Sequence, residues 1–192
     1  VQALQDVLLM LDVALEDQKA AEAHALTILR QRPGHPYANF LMGSVRLEQG
    51  QFGDAEAYLR RSTAGEAPSL AALNNFAQVL CRIRKLDEAE KVARRATELS
   101  PDRYEAWSTR AFVLAEKGDL DGAAQAQAKA RTFKPDDLRL FLVDARIAVK
   151  RGDAESAERA LALVGDEATL SVAEKRETAL LREEIARLRQ KR

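Results

Sequence analysis

Read for hydrophobic spacing, the chain breaks into short amphipathic stretches, each suited to a helix of about 13 residues and roughly 20 Å. Phe76, Val79, Leu80 and Ile83 share one face at i, i+3, i+4 and i+7, and Ala89, Val92, Ala93 and Ala96 do the same in the next stretch. This pairing of stretches recurs. Alanines stand at Ala21, Ala55, Ala89, Ala123 and Ala157, each 34 residues after the last. A second small-residue column runs Gly43, Ala77, Ala111, Ala145, a third runs Ser62, Ala96, Ala130, and Pro33, Pro101 and Pro135 keep the same phase. One column can arise in any alanine-rich chain. Several in one phase mark an internal repeat of two helices.

The punctuation of the repeat has physical reasons. Gly50, Gly118 and Gly152 fall between the two helices, where glycine ends a helix left-handed without a Cβ clash. Asp54, Asp87, Asp121 and Glu155 follow near the start of each second helix and complement its orphan N–H groups and dipole. Proline after the second helix stops it. The columns are small because two helices approach to about 8–10 Å only over short side chains. Ala89→Leu or Ala111→Leu is therefore expected to cost about 1–3 kcal/mol by overpacking.

Trp107, Ala111, Gly118, Ala123, Ala130 and Pro135 resemble the tetratricopeptide-repeat (TPR) family in their Trp, small, Gly, Ala, Ala, Pro order and spacing. Leu99-Ser100-Pro101-Asp102 through Glu105-Ala106-Trp107, and Gly118-Asp119-Leu120-Asp121, resemble its consensus as well. The resemblance covers residues 2–169 and implies an all-α, right-handed superhelical solenoid. Its five helix-turn-helix units fall at about 2–35, 36–69, 70–103, 104–137 and 138–171. The domain reading is five repeats over 1–170 and a C-terminal capping helix over 171–192. Departures are local. The first unit has Leu9 in the small column and Glu16 at the turn, Ala67-Pro68 displaces the proline of the second by one residue, and the third has Arg84 in place of glycine.

Beyond the fifth unit, Ser171-Val172-Ala173-Glu174 reads as a capping box opening a last helix that runs to about Gln190. Leu181, Ile185 and Leu188 share one of its faces, placed to cover the last apolar surface of a repeat array. Lys175, Arg176, Arg182, Arg187, Arg189, Lys191 and Arg192 invite a nucleic-acid reading. The interspersed Glu174, Glu177, Glu183 and Glu184 favour an ordinary solvated face instead.

Composition then narrows the function. Hydrophobic residues at 46% and charged residues at 31% suit a soluble, core-forming chain. Thirty basic and thirty acidic side chains cancel, so no global field attracts nucleic acid or an anionic membrane. The apolar run Val7 to Leu11 is too short to span a membrane, and no membrane insertion is expected. Cys81, the single cysteine, excludes an intramolecular disulfide. The compartment stays open, with the cytoplasm favoured over the periplasm. Val1 in place of an initiating Met suggests a processed or excised fragment with more protein on either side.

Catalytic chemistry finds no inventory. The two histidines, His24 and His35, have no metal-spaced partners, and no glycine-rich phosphate loop is present. His24 is expected to be exposed on a second helix, His35 to be structural in the Gly34-His35-Pro36 turn, and Cys81 to be a partly buried filler. No cofactor, metal or enzymatic role is expected. The TPR resemblance instead implies a groove lined by the first helix of each unit, carrying Phe40, Ser44, Asn74, Asn75, Gln78, Arg82, Ser108, Thr109, Phe112, Arg139 and Arg146. Asn74, Asn75 and Gln78 can clamp a peptide main chain, since a carboxamide both donates and accepts, and Asn75 resembles the groove asparagine of superhelical TPRs. Arg82, Arg139 and Arg146 can grip a carboxylate or phosphate, while Phe40 and Phe112 can seat apolar side chains.

The family's carboxylate clamp, which holds chaperone tails, is disfavoured. Asp6 and Met10, or Phe40 and Ser44, occupy the positions where it needs Lys and Asn. The resulting expectation is a non-enzymatic scaffold whose concave groove binds a protein or peptide to assemble a larger complex, with no nucleic-acid partner. The alternatives are a homo-oligomerisation module, or a TPR segment of a longer secretion, export or regulatory protein.

Overall fold

The computed structural model describes residues 2–190. Val1, read as a fragment start, and Lys191 and Arg192, read as part of the basic last helix, lie outside the described residues. Every regular element among the described residues is helical. The α-helices are α1 (Gln2–Ala14), α2 (Gln18–Gln31), α3 (Pro36–Glu48), α4 (Phe52–Ser62), α5 (Leu70–Arg82), α6 (Leu86–Leu99), α7 (Tyr104–Lys117), α8 (Leu120–Phe133), α9 (Leu138–Lys150), α10 (Ala154–Ala162) and α11 (Val172–Gln190), and Glu167–Thr169 form a 3-10 turn. First helices begin at 2, 36, 70, 104, 138 and 172, and second helices at 18, 52, 86, 120 and 154. The 34-residue phase of the small columns is thus the phase of the backbone. The chain divides into two compact units, Val1–Ile83 with α1 to α5 and Arg84–Arg192 with α6 to α11.

The turn between paired helices explains two of the departures. Gly50, Gly118 and Gly152 have φ of 74°, 94° and 75°, and Glu16 and Arg84, which hold the same place in their own hairpins, adopt 58° and 62°. The left-handed residue belongs to the hairpin, whatever its side chain. A bond from the next backbone N–H back to the fifth carbonyl before it closes the turn: Asp17 N to Asp12 O at 2.9 Å, Gln51 N to Arg46 O at 2.8 Å and Asp119 N to Leu114 O at 3.0 Å. That geometry is the Schellman stop, which non-glycine residues enter at a cost of about 1–2 kcal/mol. Asp54, Asp87, Asp121 and Glu155 lie in the first turns of their helices as expected. The caps themselves are Asp17, Asp119 and Asp153, whose side chains accept from the N–H groups of Ala20, Gly122 and Ser156.

Packing in the first unit trades volume across its paired helices. A Cβ at Gly43 on α3 would lie 2.6 Å from Leu59 Cγ on α4, so only glycine fits beneath that leucine. One period earlier the assignment is exchanged: Leu9 is fully buried in one cluster with Ala25, the residue that stands where Leu59 stands later. Leu9 is therefore compensated by a small partner, which keeps the filled volume nearly constant. Ser62, in the third column, donates to Pro36 O at 2.9 Å and holds the end of α4 against the start of α3.

In the second unit Ala111, Leu114 and Ala115 of α7, Ala123 and Ala126 of α8, and Val143 and Ile147 of α9 form one apolar cluster. Trp107 packs against it, half-buried, and its indole Nε1 donates to Pro101 O at 2.8 Å. The expected capping box is present, with Ser171 N donating to Glu174 Oε2 at 2.8 Å and Glu174 N to Ser171 Oγ at 3.3 Å. Leu181 of the last helix is fully buried with Leu142, Ala145, Val164 and Leu170, while Ile185 sits with Ala148, Ala154 and Ala157. These are the two faces that α9 and α10 leave open, which is why an apolar stripe on α11 ends in a core rather than in water.

Candidate partner-binding faces on the first helices

The eleven residues expected in a groove divide between the units: six on α3 and α5 of the first, five on α7 and α9 of the second. On the first unit the polar pair Ser44 and Asn75 is locked together. Ser44 Oγ donates to Phe40 O at 2.9 Å, the ordinary back-bond of a helical serine, and accepts from Asn75 Nδ2 at 2.9 Å. Two consecutive first helices are thereby tied by a side-chain bridge that fixes the Asn75 carboxamide. Phe40 is half-buried with its ring tilted at 6.3 Å from Tyr37, and Gln78 and Arg82 are exposed one and two turns beyond Asn74. Asn74 is half-buried, and its Oδ1 is shielded without a hydrogen-bond donor.

The second unit is arranged differently. Ser108 and Thr109 are buried, and Phe112 is half-buried against the Ala111 cluster, so all three serve packing as well as surface. Arg139 is exposed, yet its guanidinium is engaged: Nη2 donates to Tyr104 OH at 2.9 Å and Nε to Asp137 Oδ1 at 3.3 Å. The Tyr104 hydroxyl in turn donates to Asp137 Oδ2 at 2.8 Å. Burial pushes the Asp137 carboxyl up, but the hydrogen bonds from Lys134 and Tyr104 outweigh it, so the group sits below the usual carboxylate range.

Arg146 departs most from the expected ligand role. It is only 4% exposed, its Nη1 donates to Glu184 at 2.7 Å, its Nη2 donates to Glu177, and Glu116 lies 3.7 Å from its Nε. Burial would lower its pKa, but the carboxylates of Glu177, Glu184 and Glu116 more than offset that and hold the guanidinium charged. Its carboxylates come from α7 and α11 of the same chain. Sequence reasoning could see the arginine and the glutamates but not that they meet, because 31 and 38 residues separate Arg146 from Glu177 and Glu184. Around the cluster, Lys150 Nζ reaches Glu116 Oε2 at 3.1 Å and Arg84 approaches the same carboxylate at 3.6 Å.

The remaining candidates resolve simply. His24, expected exposed, pairs through Nδ1 with Asp12 and is about a third exposed, because the hairpin brings α2 back against α1. His35 caps α3, its Nδ1 accepting from Ala38 N at 3.1 Å, which turns Nε2 toward Asp6 at 3.4 Å. Cys81 is buried. Among the described residues no group of three or more His, Cys, Asp or Glu is placed to hold a metal ion, and no helix is long and apolar enough to cross a membrane. A hollow of about 430 Å³ between α10 and α11 contains none of the expected face residues, and the Glu158–Arg189 ion pair closes across it at 2.5 Å.

Comparison with known proteins agrees with this architecture. No curated protein matches the chain in sequence. Solved structures share its fold: PilW, described as a widely conserved type IV pilus biogenesis factor, superposes with a TM-score of 0.71 at 19% identity over 98% of this chain and 86% of its own. TTC0263, a thermophilic TPR protein of Thermus thermophilus, gives 0.69 at 18% identity over 94% and 98%. YrrB, a TPR protein with an unusual peptide-binding site, gives 0.62 at 18% identity over 81% and 80%. The family model described as tetratricopeptide repeat matches residues 9–71 and 74–137. With two thirds of its length under that model and its helices in 34-residue phase, the chain belongs to the tetratricopeptide-repeat family.

Proposed function

We propose that the chain is a non-enzymatic scaffold of five helical hairpins closed by α11, and that it binds an extended peptide segment of a partner protein along the exposed face of α3 and α5. The observation that carries this reading is the Asn75–Ser44 bridge. It uses one amide hydrogen of Asn75 and leaves the other, together with Oδ1, for the C=O and N–H of a ligand main chain. A side chain fixed in this way loses little further entropy on binding, which favours recognition. Phe40 supplies an apolar seat beside it, and exposed Gln78 and Arg82 extend the polar line by one and two turns. TPR proteins are built to bind proteins or peptides, and YrrB is described as having a peptide-binding site; the present chain is read in the same class. Nucleic acid is not favoured, because the net charge is zero and the described arginines of α9 are engaged with carboxylates of the chain itself.

The test is capture of partners by the whole chain, followed by affinity measurement with Asn75→Ala plus Gln78→Ala. Loss of two bridging amides is expected to weaken binding about ten- to a hundredfold, at roughly 1 kcal/mol per hydrogen bond, while the melting temperature stays near wild type. Unchanged affinity in a folded double variant moves the site off α5.

A further inference from the structure

Where α9 packs on α8, three alanines stand at places that hold longer side chains in the earlier repeats. Glu56 and Arg60 pair along α4 at 2.7 Å, and Leu80 of α5 is fully buried. One period later Glu90 and Arg94 pair along α6, Glu90 also accepts from Lys117 of α7 at 2.6 Å, and Leu114 of α7 is buried. At α8 and α9 the same three places are Ala124, Ala128 and Ala148. All three line an open hollow of about 340 Å³ that lies within the second unit and reaches the start of α10.

The hollow has an apolar middle and two polar ends. Ala124, Gln127, Ala128 and Arg131 line it from α8, and Asp144, Ile147, Ala148 and Arg151 from α9, each set at i, i+3, i+4 and i+7 on one helix face. At one end Asp144 accepts from Arg131 Nη2 and from Gln127 Nε2, the latter at 2.9 Å. At the other, Arg151 lines it together with Asp153 and Ser156 of α10. Gln127 breaks the pattern of its own register. Ala25, Leu59 and Ala93, which precede it at 34-residue intervals, are apolar and fully buried, whereas Gln127 is a carboxamide only 3% exposed whose Oε1 has no donor. A buried acceptor left in this way is costly, and a ligand N–H removes the cost. Burial also pushes the Asp144 carboxyl above its usual range, further than Gln127 and Arg131 pull it back, so a further donor there is stabilising.

We propose that this hollow is a second peptide site, which takes a short, extended, uncharged segment of a partner protein by its main chain. Charge complementarity selects the occupant: Asp144 and Asp153 balance Arg131 and Arg151 in the lining, so a ligand of either sign meets its like as well as its opposite. Each end offers acceptors and donors together, as a main-chain amide requires. Asp144 and Gln127 receive its N–H. Its C=O meets the guanidinium groups, since Arg131 spends Nη1 on Pro135 O and Nη2 on Asp144, Arg151 spends Nη2 on Leu120 O, and both keep further N–H groups. The alanines between the ends let a backbone approach closely. From Asp144 to Arg151 the helix advances about 10 Å, the reach of about three extended residues.

The test is selection of a displayed random heptapeptide library on the whole chain. Peptides without net charge are expected, and their affinity should fall about tenfold or more in Ala128→Phe, which fills the hollow, and in Arg151→Glu, which removes the donor at one end. Both positions are exposed, so melting should stay near wild type. Asn75→Ala plus Gln78→Ala should leave these peptides unaffected, which separates this site from the α3–α5 face. Selection of no peptide overturns the proposal, as do selected peptides that all carry net charge or that bind both hollow variants undiminished. Peptides lost only with the Asn75 and Gln78 changes support the α3–α5 reading and overturn this one.

Discussion

The two end helices face the same problem and meet it in different ways. α1 and α11 are the first and last helices among the described residues, and both start in the 34-residue phase of the first helices. α11 turns Leu181 and Ile185 inward, presents arginine and glutamate outward, and adds Glu177 and Glu184 to a buried arginine. α1 buries Leu9 but leaves Val7, Met10 and Leu11 in water. Hydrophobic area exposed in this way is worth roughly 25 cal/mol per Å² when covered, whereas a charged surface gains nothing by being covered. One end of the described array is closed by its own composition. At the other, Val7, Met10 and Leu11 are exposed among the described residues.

That contrast is open to attack at several strengths. The largest effect should come from Arg146→Ala, which removes the buried guanidinium that Glu177, Glu184 and Glu116 surround. Urea denaturation should show a loss of about 3–5 kcal/mol, and a loss under about 1 kcal/mol would mean that the carboxylates are hydrated and α11 is held by its leucines alone. Leu181→Ala, at the buried seat of α11, should cost about 2–5 kcal/mol on the same assay. Between the ends, Gly43→Ala should cost about 1–3 kcal/mol, because the new methyl meets Leu59; calorimetry showing no change would imply that α4 shifts freely. At the α1 end, Glu16→Gly should raise stability by about 0.5 kcal/mol, the left-handed strain relieved less the entropy of glycine. Leu11→Lys should move single-chain stability by no more than about 0.5 kcal/mol. If Leu11→Lys instead costs as much as Leu181→Ala, the stripe on α1 is a packed face and the contrast between the ends disappears.

Much of this was legible in the residues before any coordinates. The small columns are small because α-helical hairpins press there, and the structure buries Ala55, Ala89, Ala111, Ala123 and Ala157 completely. Turn position, helix phase and the Ser171–Glu174 box follow from local rules that act over a few residues, so they can be read from spacing. The side-chain chemistry of the faces was less legible. Ser108 and Thr109 look like groove polars by register, yet they are buried, because burial depends on what the neighbouring helices contribute. His24 was expected in solvent and found Asp12, twelve positions away in sequence but adjacent across the hairpin.

Arg146 marks the boundary between the two kinds of knowledge. Its place on α9 in the register of Ser44, Gln78 and Phe112 follows from the 34-residue repeat, and the structure shows that the same period carries the left-handed turn through Glu16 and Arg84, which the sequence marks only as departures from glycine. Whether that arginine meets a partner's carboxylate or the chain's own was decided by tertiary structure. Coulomb attraction depends on distance through space, and only the docking of α11 onto α9 brings Glu177 and Glu184 within reach. The sequence by itself determined the helices, their phase and their small contact residues. The fold decided which charged groups are already occupied, and which apolar side chains are buried or exposed among the described residues.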